Sequence, residues 1–292
     1  MSRRGGKITG KSSEKIDWFA EIRSLALMLL AVLAFHTFIA KPFYIPSGSM
    51  IPTLMVGDRL VVSKWPYGWS WVSASFHVLP RDDWRLAPST PEYGDIVIVV
   101  PPDRTDDLIK RVVALPGDTI ALVNGQIILN GEPVPQDVEP PVQLPVANDN
   151  DCEGTPCMDE FAPFKVRLED GREVYEPPTY RETLPNGASY LIIDHEMQDL
   201  DNFPETIIPD GHVFLIGDNR DHSADSRAPT WRSGLDGPVP LENVGGRAEF
   251  ITFSLDGQAT MNPLTWWDAL RGARAWTSLR PELRGDRADG RE

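Results

Sequence analysis

The chain has 292 residues, of which 41% are hydrophobic and 24% charged, with 27 prolines, 23 glycines and two cysteines. Its mean hydropathy is −0.26, which excludes a wholly disordered chain and a protein with many membrane spans; two cysteines exclude a disulfide-framework mini-protein and a four-cysteine zinc site. A formal charge of −15 excludes a nucleic-acid binder of the usual kind, which needs clustered lysine and arginine against phosphate.

The stretch from Ser24 to Ala40, SLALMLLAVLAFHTFIA, carries no formal charge and is bounded by Arg23 and Lys41. As a helix it is about 26 Å long, slightly less than a ~30 Å hydrocarbon core, and the two flanking cations can snorkel to make up the difference. Before it lie Arg3, Arg4, Lys7, Lys11, Lys15 and Arg23 against Glu14, Asp17 and Glu21. This predicts a cytoplasmic tail over 1–23, a single transmembrane anchor over 24–40, and everything after Lys41 outside. A cleaved secretory signal, cut after Ala34, is the rival reading. Against it, the apolar run continues through Phe35, Phe38 and Ile39, where a cleavable signal turns polar. The part outside is more acidic than the whole chain and is repelled by anionic lipid, so any further grip on a bilayer must be apolar. Trp65, Tyr67, Trp69, Trp71, Phe76 and Trp84, with Trp266, Trp267 and Trp276, suit a headgroup layer or, taken singly, the core of a β domain.

Glycine, proline and Asn-Gly pairs punctuate the rest into strands. Strands are predicted at Ile96–Val100, Leu108–Leu115, Thr119–Val123, Gln126–Leu129, Ser189–Ile193, His212–Ile216 and Ala248–Ser254. Asn124-Gly125 between two β-prone runs is a strong hairpin signal. From 132 to 205 the chain is Pro-rich, acidic and weakly periodic. The predicted organisation is a β core over 41–131 and 206–280, an inserted lobe over 132–205, and a flexible tail over 281–292. Cys152 and Cys157, with four residues between them in that lobe, are expected to form a local disulfide in an oxidising compartment.

Three segments could carry chemistry. In Pro46-Ser47-Gly48-Ser49-Met50-Ile51-Pro52, a glycine lets the backbone turn and prolines brace it, so a serine can be aimed outward nine residues past the anchor. In Leu108-Ile109-Lys110-Arg111-Val112-Val113-Ala114, strand alternation puts Lys110 with Leu108, Val112 and Ala114, and Arg111 on the other face. Such apolar company can strip the proton from a lysine and make it a general base, although a lysine snorkelling from an edge strand is the commoner case. The third segment, Gly217-Asp218-Asn219-Arg220-Asp221-His222-Ser223-Ala224-Asp225-Ser226-Arg227, is acid-rich. It fails as an EF-hand loop, since from Asp221 the sixth position is Ser226 and the twelfth Arg232. Residue types alone leave two bases open for Ser49, Lys110 in a dyad or His222 in a triad.

PSGSMIPTL, YGDIVIV, LIKRVVALPGD and GDNRDHSADSR, in that order behind an amino-terminal anchor, resemble bacterial type I signal peptidase (leader peptidase). The resemblance implies a mostly antiparallel β catalytic domain with an inserted smaller β lobe, and removal of signal peptides from exported preproteins after small residues in an A-x-A pattern. It implies Ser49 as nucleophile and Lys110 as general base. Ser47 and the Ser49 N–H would form the oxyanion hole, Ser223 would position the lysine, and Asp225 with Arg227 would be a supporting ion pair. No metal, nucleotide or other cofactor is implied, and His222 is expected to be dispensable. The implied partners are preprotein signal peptides and the bilayer, with room for association with the export translocon, at the bacterial inner membrane. Two other readings stay open: a related peptidase of a specialised secretion or conjugation system, and a non-catalytic membrane-tethered β domain.

Overall fold

The computed structural model describes residues 17–74, 79–146, 158–256, 267 and 269–284, and the backbone alone at 151–152 and 155–156. Helix α1 (Trp18–Phe38) starts six residues before the uncharged run, because the Asp17 carboxylate accepts the Phe19 and Ala20 N–H groups at 3.1 and 3.3 Å and caps it there. Glu21 and Arg23 therefore lie inside the helix. Its 21 residues give roughly 31 Å, the thickness of a hydrocarbon core, with Glu21 and Arg23 near one rim where they can snorkel to the headgroups. None of its residues is buried, and it is long and apolar enough to cross a membrane, with a mean hydropathy of 1.8 over its best window.

One residue separates the helix from strand β1 (Ala40–Tyr44), which pairs with β2 (Asp58–Ser63). The chain then runs through β3 (Ile96–Val99) and β4 (Leu108–Ala114), and the hairpin β5 (Thr119–Val123) and β6 (Gln126–Leu129). Next come β7 (Glu132–Pro133), β8 (Gln136–Glu139), β9 (Leu144–Pro145), and the small pair β10 (Asp151–Cys152) and β11 (Thr155–Pro156). Then follow β12 (Lys165–Arg167), β13 (Glu173–Tyr175), β14 (Thr179–Thr183), β15 (Ala188–Ile193) and β16 (Phe203–Ile207). The last strands are β17 (His212–Ile216), β18 (Val239–Pro240), β19 (Val244–Ser254) and β20 (Glu282–Leu283).

The principal sheet is antiparallel, in the order β1-β2-β19-β3-β4-β17-β18. Apolar clusters cover both of its faces, one around Ile45, Met50, Leu60, Ile96 and Ile109, the other around Val97, Val99, Val112 and Leu215. A strand buried on both faces must hide whatever it carries, and β4 sits inside the sheet between β3 and β17. Lys110 and Arg111 are accordingly 3% and 2% exposed; the edge-strand alternative for Lys110 is wrong.

The fold is mostly β, as expected. The stretch 132–205 is far more regular than its single predicted strand. Apart from β15, which matches the predicted Ser189–Ile193, its strands are two to five residues long and several contain proline, so they leave no readable period. The hairpin β5–β6 joins β16 and β7 in a sheet of order β16-β5-β6-β7 that straddles residues 131 and 206, and β20-β15-β14-β8 forms another. The expected Cys152–Cys157 disulfide lies outside the described side chains. The aromatics divide. Tyr67 and Trp71 are core residues, while Trp65, Trp84, Trp267 and Trp276 are 50%, 41%, 78% and 74% exposed; Phe76 and Trp266 lie outside the described residues.

Candidate active site

Ser49 stands on a tight turn, closed by the Ile51 N–H donating to the Gly48 carbonyl at 3.1 Å, between β1 and β2. That turn packs against two other segments. Lys110 reaches it from the middle of β4, with Nζ 3.0 Å from Ser49 Oγ and 2.9 Å from the Ile109 carbonyl. Desolvation pushes the amine down to about 8, despite the opposing charges of Asp225 and Asp218; Arg104 and Arg227 push the same way as burial. A neutral amine at this position donates an N–H to Ile109 O and turns its lone pair to the serine hydroxyl. Two residue types far apart in sequence, each weak alone, thus bring a hydroxyl and an amine into contact, the arrangement that a serine nucleophile with a lysine base requires.

The loop 217–227 holds the turn from behind. The Asn219 N–H donates to the Ser49 carbonyl at 3.2 Å, and its side-chain amide donates to the Gly48 carbonyl at 3.2 Å. Gly217 has to be glycine here, since a Cβ would stand 2.5 Å from the Ser49 carbonyl oxygen and 2.2 Å from Ser223 Oγ. Asp225 and Arg227 form a fully buried two-pronged pair, Nε to Oδ1 at 2.9 Å and Nη2 to Oδ2 at 2.9 Å. Burial alone would raise the Asp225 carboxyl, but Arg227 and the Gly217 N–H hold it below its ordinary value. Ser223 is buried beside Asp225, and its hydroxyl makes no well-formed hydrogen bond among the described residues; the Lys110 amine is held by Ile109 O instead.

Ser47, Ser49 and Lys110 line one cleft of about 310 Å³, with Ile45, Ile98 and Ile109 among its apolar walls. His222 borders the same cleft but is 57% exposed and pairs through Nδ1 with Glu160 at 3.0 Å. A second cavity of about 450 Å³ lies beyond Thr53 and is rich in arginine. Four of its five guanidinium groups are paired with carboxylates, Arg111 with Asp218, Arg181 with Glu139, Arg274 with Asp58 and Arg280 with Asp95, while Arg271 donates to the Val56 carbonyl at 2.9 Å.

Four supports were not read from the sequence: Asn219, Gly217, the pair Arg111–Asp218 and Glu160. Arg111 donates to Asp218 Oδ1 and Oδ2 at 2.7 and 2.6 Å and to the Gly94 carbonyl at 2.7 Å, with Tyr190 4.1 Å beneath it. A signal for that pair existed. Arg111 faces away from Lys110 on a buried strand, and a buried guanidinium needs a carboxylate.

Residues 17–253 match the family of signal peptidases, peptidase S26. Signal peptidase I of Rickettsia bellii (strain OSU 85-389) is 31% identical over 264 residues, covering 85% of this chain and 75% of that protein. Signal peptidase I of Rickettsia canadensis (strain McKiel) is 33% identical over 260 residues, covering 85% and 82%. A solved signal peptidase I from Enterococcus faecalis V583 aligns with 55% of this chain and 97% of its own at 19% identity, with a TM-score of 0.27, too slight a likeness to add to these matches. The resemblance read from the four motifs is borne out, and the chain belongs to the signal peptidase family: it is a serine peptidase, a hydrolase.

Proposed function

We propose that this chain removes signal peptides from preproteins with Ser49 as the nucleophile and Lys110 as the general base. The observation that carries the assignment is a buried amine, lowered to about 8, at 3.0 Å from a serine hydroxyl in an apolar-walled cleft. Neutral Lys110 takes the hydroxyl proton as Ser49 Oγ attacks the scissile carbonyl. The developing oxyanion is held by the Ser47 hydroxyl and the Ser49 N–H. The resulting ammonium protonates the leaving amine, and the same amine then activates water to hydrolyse the acyl-enzyme. A cleft walled by Ile45, Ile98 and Ile109 favours small apolar residues before the cut.

The basic tail ahead of α1 supports an amino terminus on the cytoplasmic side and a catalytic body outside. Anchoring enzyme and substrate in one bilayer raises their effective concentration, and the exposed Trp267 and Trp276 offer the body an apolar hold on lipid. Association with the export translocon extends the same logic to the place where substrates emerge.

The test incubates the purified full chain with a preprotein in detergent. Cutting after a small residue, abolished by Ser49→Ala and by Lys110→Ala but kept by His222→Ala, is the expected result. If His222→Ala stops cutting while Lys110→Ala spares it, the base is histidine. Activity unaffected by both dyad substitutions returns the chain to a tethering role.

A further inference from the structure

Behind the loop that braces Ser49, three carboxylates converge from three separate segments. Asp194 follows β15, Asp201 ends the short turn Asp199–Asp201, and Asp221 sits within the loop 217–227. One oxygen of each lies within 4.8 Å of the other two. Like charges at this spacing repel, and among the described residues none of the three pairs with a lysine or arginine. Arg220, the cation next to them in the chain, is given to Glu182 and to the Gly217 carbonyl.

Local turns explain part of this arrangement. Asp201 accepts the Gln198 N–H at 2.7 Å, and Asp221 Oδ2 accepts the N–H groups of His195 and Glu196 at 2.7 and 3.1 Å. They do not explain what stands beside it. The His195 side chain is 3% exposed, wedged against the rings of Phe161 and Phe164, with Nε2 3.6 Å from Asp221 Oδ2. Neither ring nitrogen is hydrogen-bonded, and Asp221 Oδ1 is buried and unpartnered as well. Polar atoms hidden this way are destabilising unless something completes them.

Three carboxylate oxygens gathered this closely suit a hard divalent cation, which takes oxygen ligands; calcium, with its flexible coordination, tolerates ligands from three separate segments better than magnesium does. The turn between β5 and β6 roofs the cluster closely. The Gly125 N–H donates to the Asp201 carbonyl, and a Cβ on Gly125 would come within 2.5 Å of Asp194 Oδ2.

We propose that Asp194, Asp201 and Asp221 form a structural site for a divalent cation of the calcium type, with the buried His195 ring packed beside Asp221 outside the ligand shell. The ion joins the end of β15, the turn at Asp199–Asp201 and the catalytic-side loop. It touches neither Ser49 nor Lys110, so it acts on stability first. The EF-hand test applied along the sequence cannot find such a site, because its ligands are not consecutive.

The experiment follows thermal unfolding and calorimetric binding of the metal-stripped full chain in detergent, at ~0.15 M salt, with added CaCl₂. Calcium is expected to raise Tm by roughly 5 °C once it exceeds its dissociation constant about 100-fold. Asp194→Asn, which gives up no hydrogen bond among the described residues, weakens calcium binding at least tenfold, and Asp201→Asn, read in parallel, does the same. Asp199→Asn, outside the cluster, leaves it unchanged. No rise in Tm up to about 10 mM calcium, or an undiminished rise in both cluster variants, overturns the site. Stabilisation by zinc but not calcium, lost in His195→Gln, overturns the choice of a hard cation.

Discussion

Asn219 grips the backbone on both sides of Ser49, its side-chain amide on the Gly48 carbonyl and its N–H on the Ser49 carbonyl, each at 3.2 Å. These bonds tie residues 171 positions apart and fix where the serine hydroxyl stands. Small displacements of a nucleophile cost about 100-fold in rate. Asn219→Ala is therefore expected to lower kcat by roughly 10- to 100-fold with KM little changed, as read from preprotein cleavage kinetics. An unchanged kcat would remove Asn219 from the positioning of Ser49.

In the proposed dyad Lys110 reacts as the neutral amine, and desolvation is the chief cause that lowers it to about 8. The cleavage rate should rise with pH and level off above about 8; a profile flat from pH 6 to 9 contradicts this. The same shift has a consequence for stability. A lysine whose folded value is depressed is protonated in both states below about 8, where the fold bears the desolvation cost, and the cost disappears above its unfolded value near 10.5. Lys110→Met should thus be inactive yet more thermostable at pH 7, with the gain fading as the pH approaches 10.5.

Arg111 and Asp218 form a buried pair, 2% and 1% exposed, and Thr53 donates to the same carboxylate at 2.5 Å. Removing one member leaves the other charged and unpaired. Arg111→Met is expected to destabilise by about 3–5 kcal/mol, measured by chemical denaturation. A loss below about 1 kcal/mol would mean that Asp218 finds another partner or a proton.

Gly217→Ala drives a methyl group into the Ser49 carbonyl and Ser223 Oγ. The turn must move, so cleavage should fall at least 100-fold even where the purified variant stays folded by circular dichroism. Wild-type kinetics in Gly217→Ala would show that the two segments do not press together.

His222 is raised above its ordinary value, first by its hydrogen bond to Glu160. Its charged form favours the fold, so that contribution is present below pH 6.5 and is lost as pH climbs through the raised value. His222→Ala should change Tm only on the acidic side and leave cleavage within about threefold. An effect confined to alkaline pH reverses the sign and the assignment.

Much of the fold could be read in advance where residues speak locally. Thr119–Val123, Gln126–Leu129 and His212–Ile216 fall on observed strands because β-branched runs end at glycine or Asn-Gly. The start of α1 could not be found from apolarity, since Asp17 acts through its capping oxygen and the first turns tolerate charge. The short strands of 132–205 gain their order from neighbours rather than from their own pattern. At the site, the dyad residues were singled out by motif and by the apolar face of β4, whereas Asn219 and Gly217 act through backbone contacts that residue type does not advertise. Trp71 and Trp84 had the same composition-level reading, yet one is buried and the other exposed, a distinction made only by tertiary packing.

Helix α1 ends at Phe38 and β1 begins at Ala40. Trp69 clasps this junction, donating through Nε1 to the Thr37 carbonyl at 2.9 Å and stacking on Phe38 at 5.4 Å. A joint with so little slack leaves no linker between the apolar helix and the β body. Helix and sheet are thus coupled through side-chain packing as well as through the chain, and any tilt of the helix is passed to β1 and to the turn that carries Ser49.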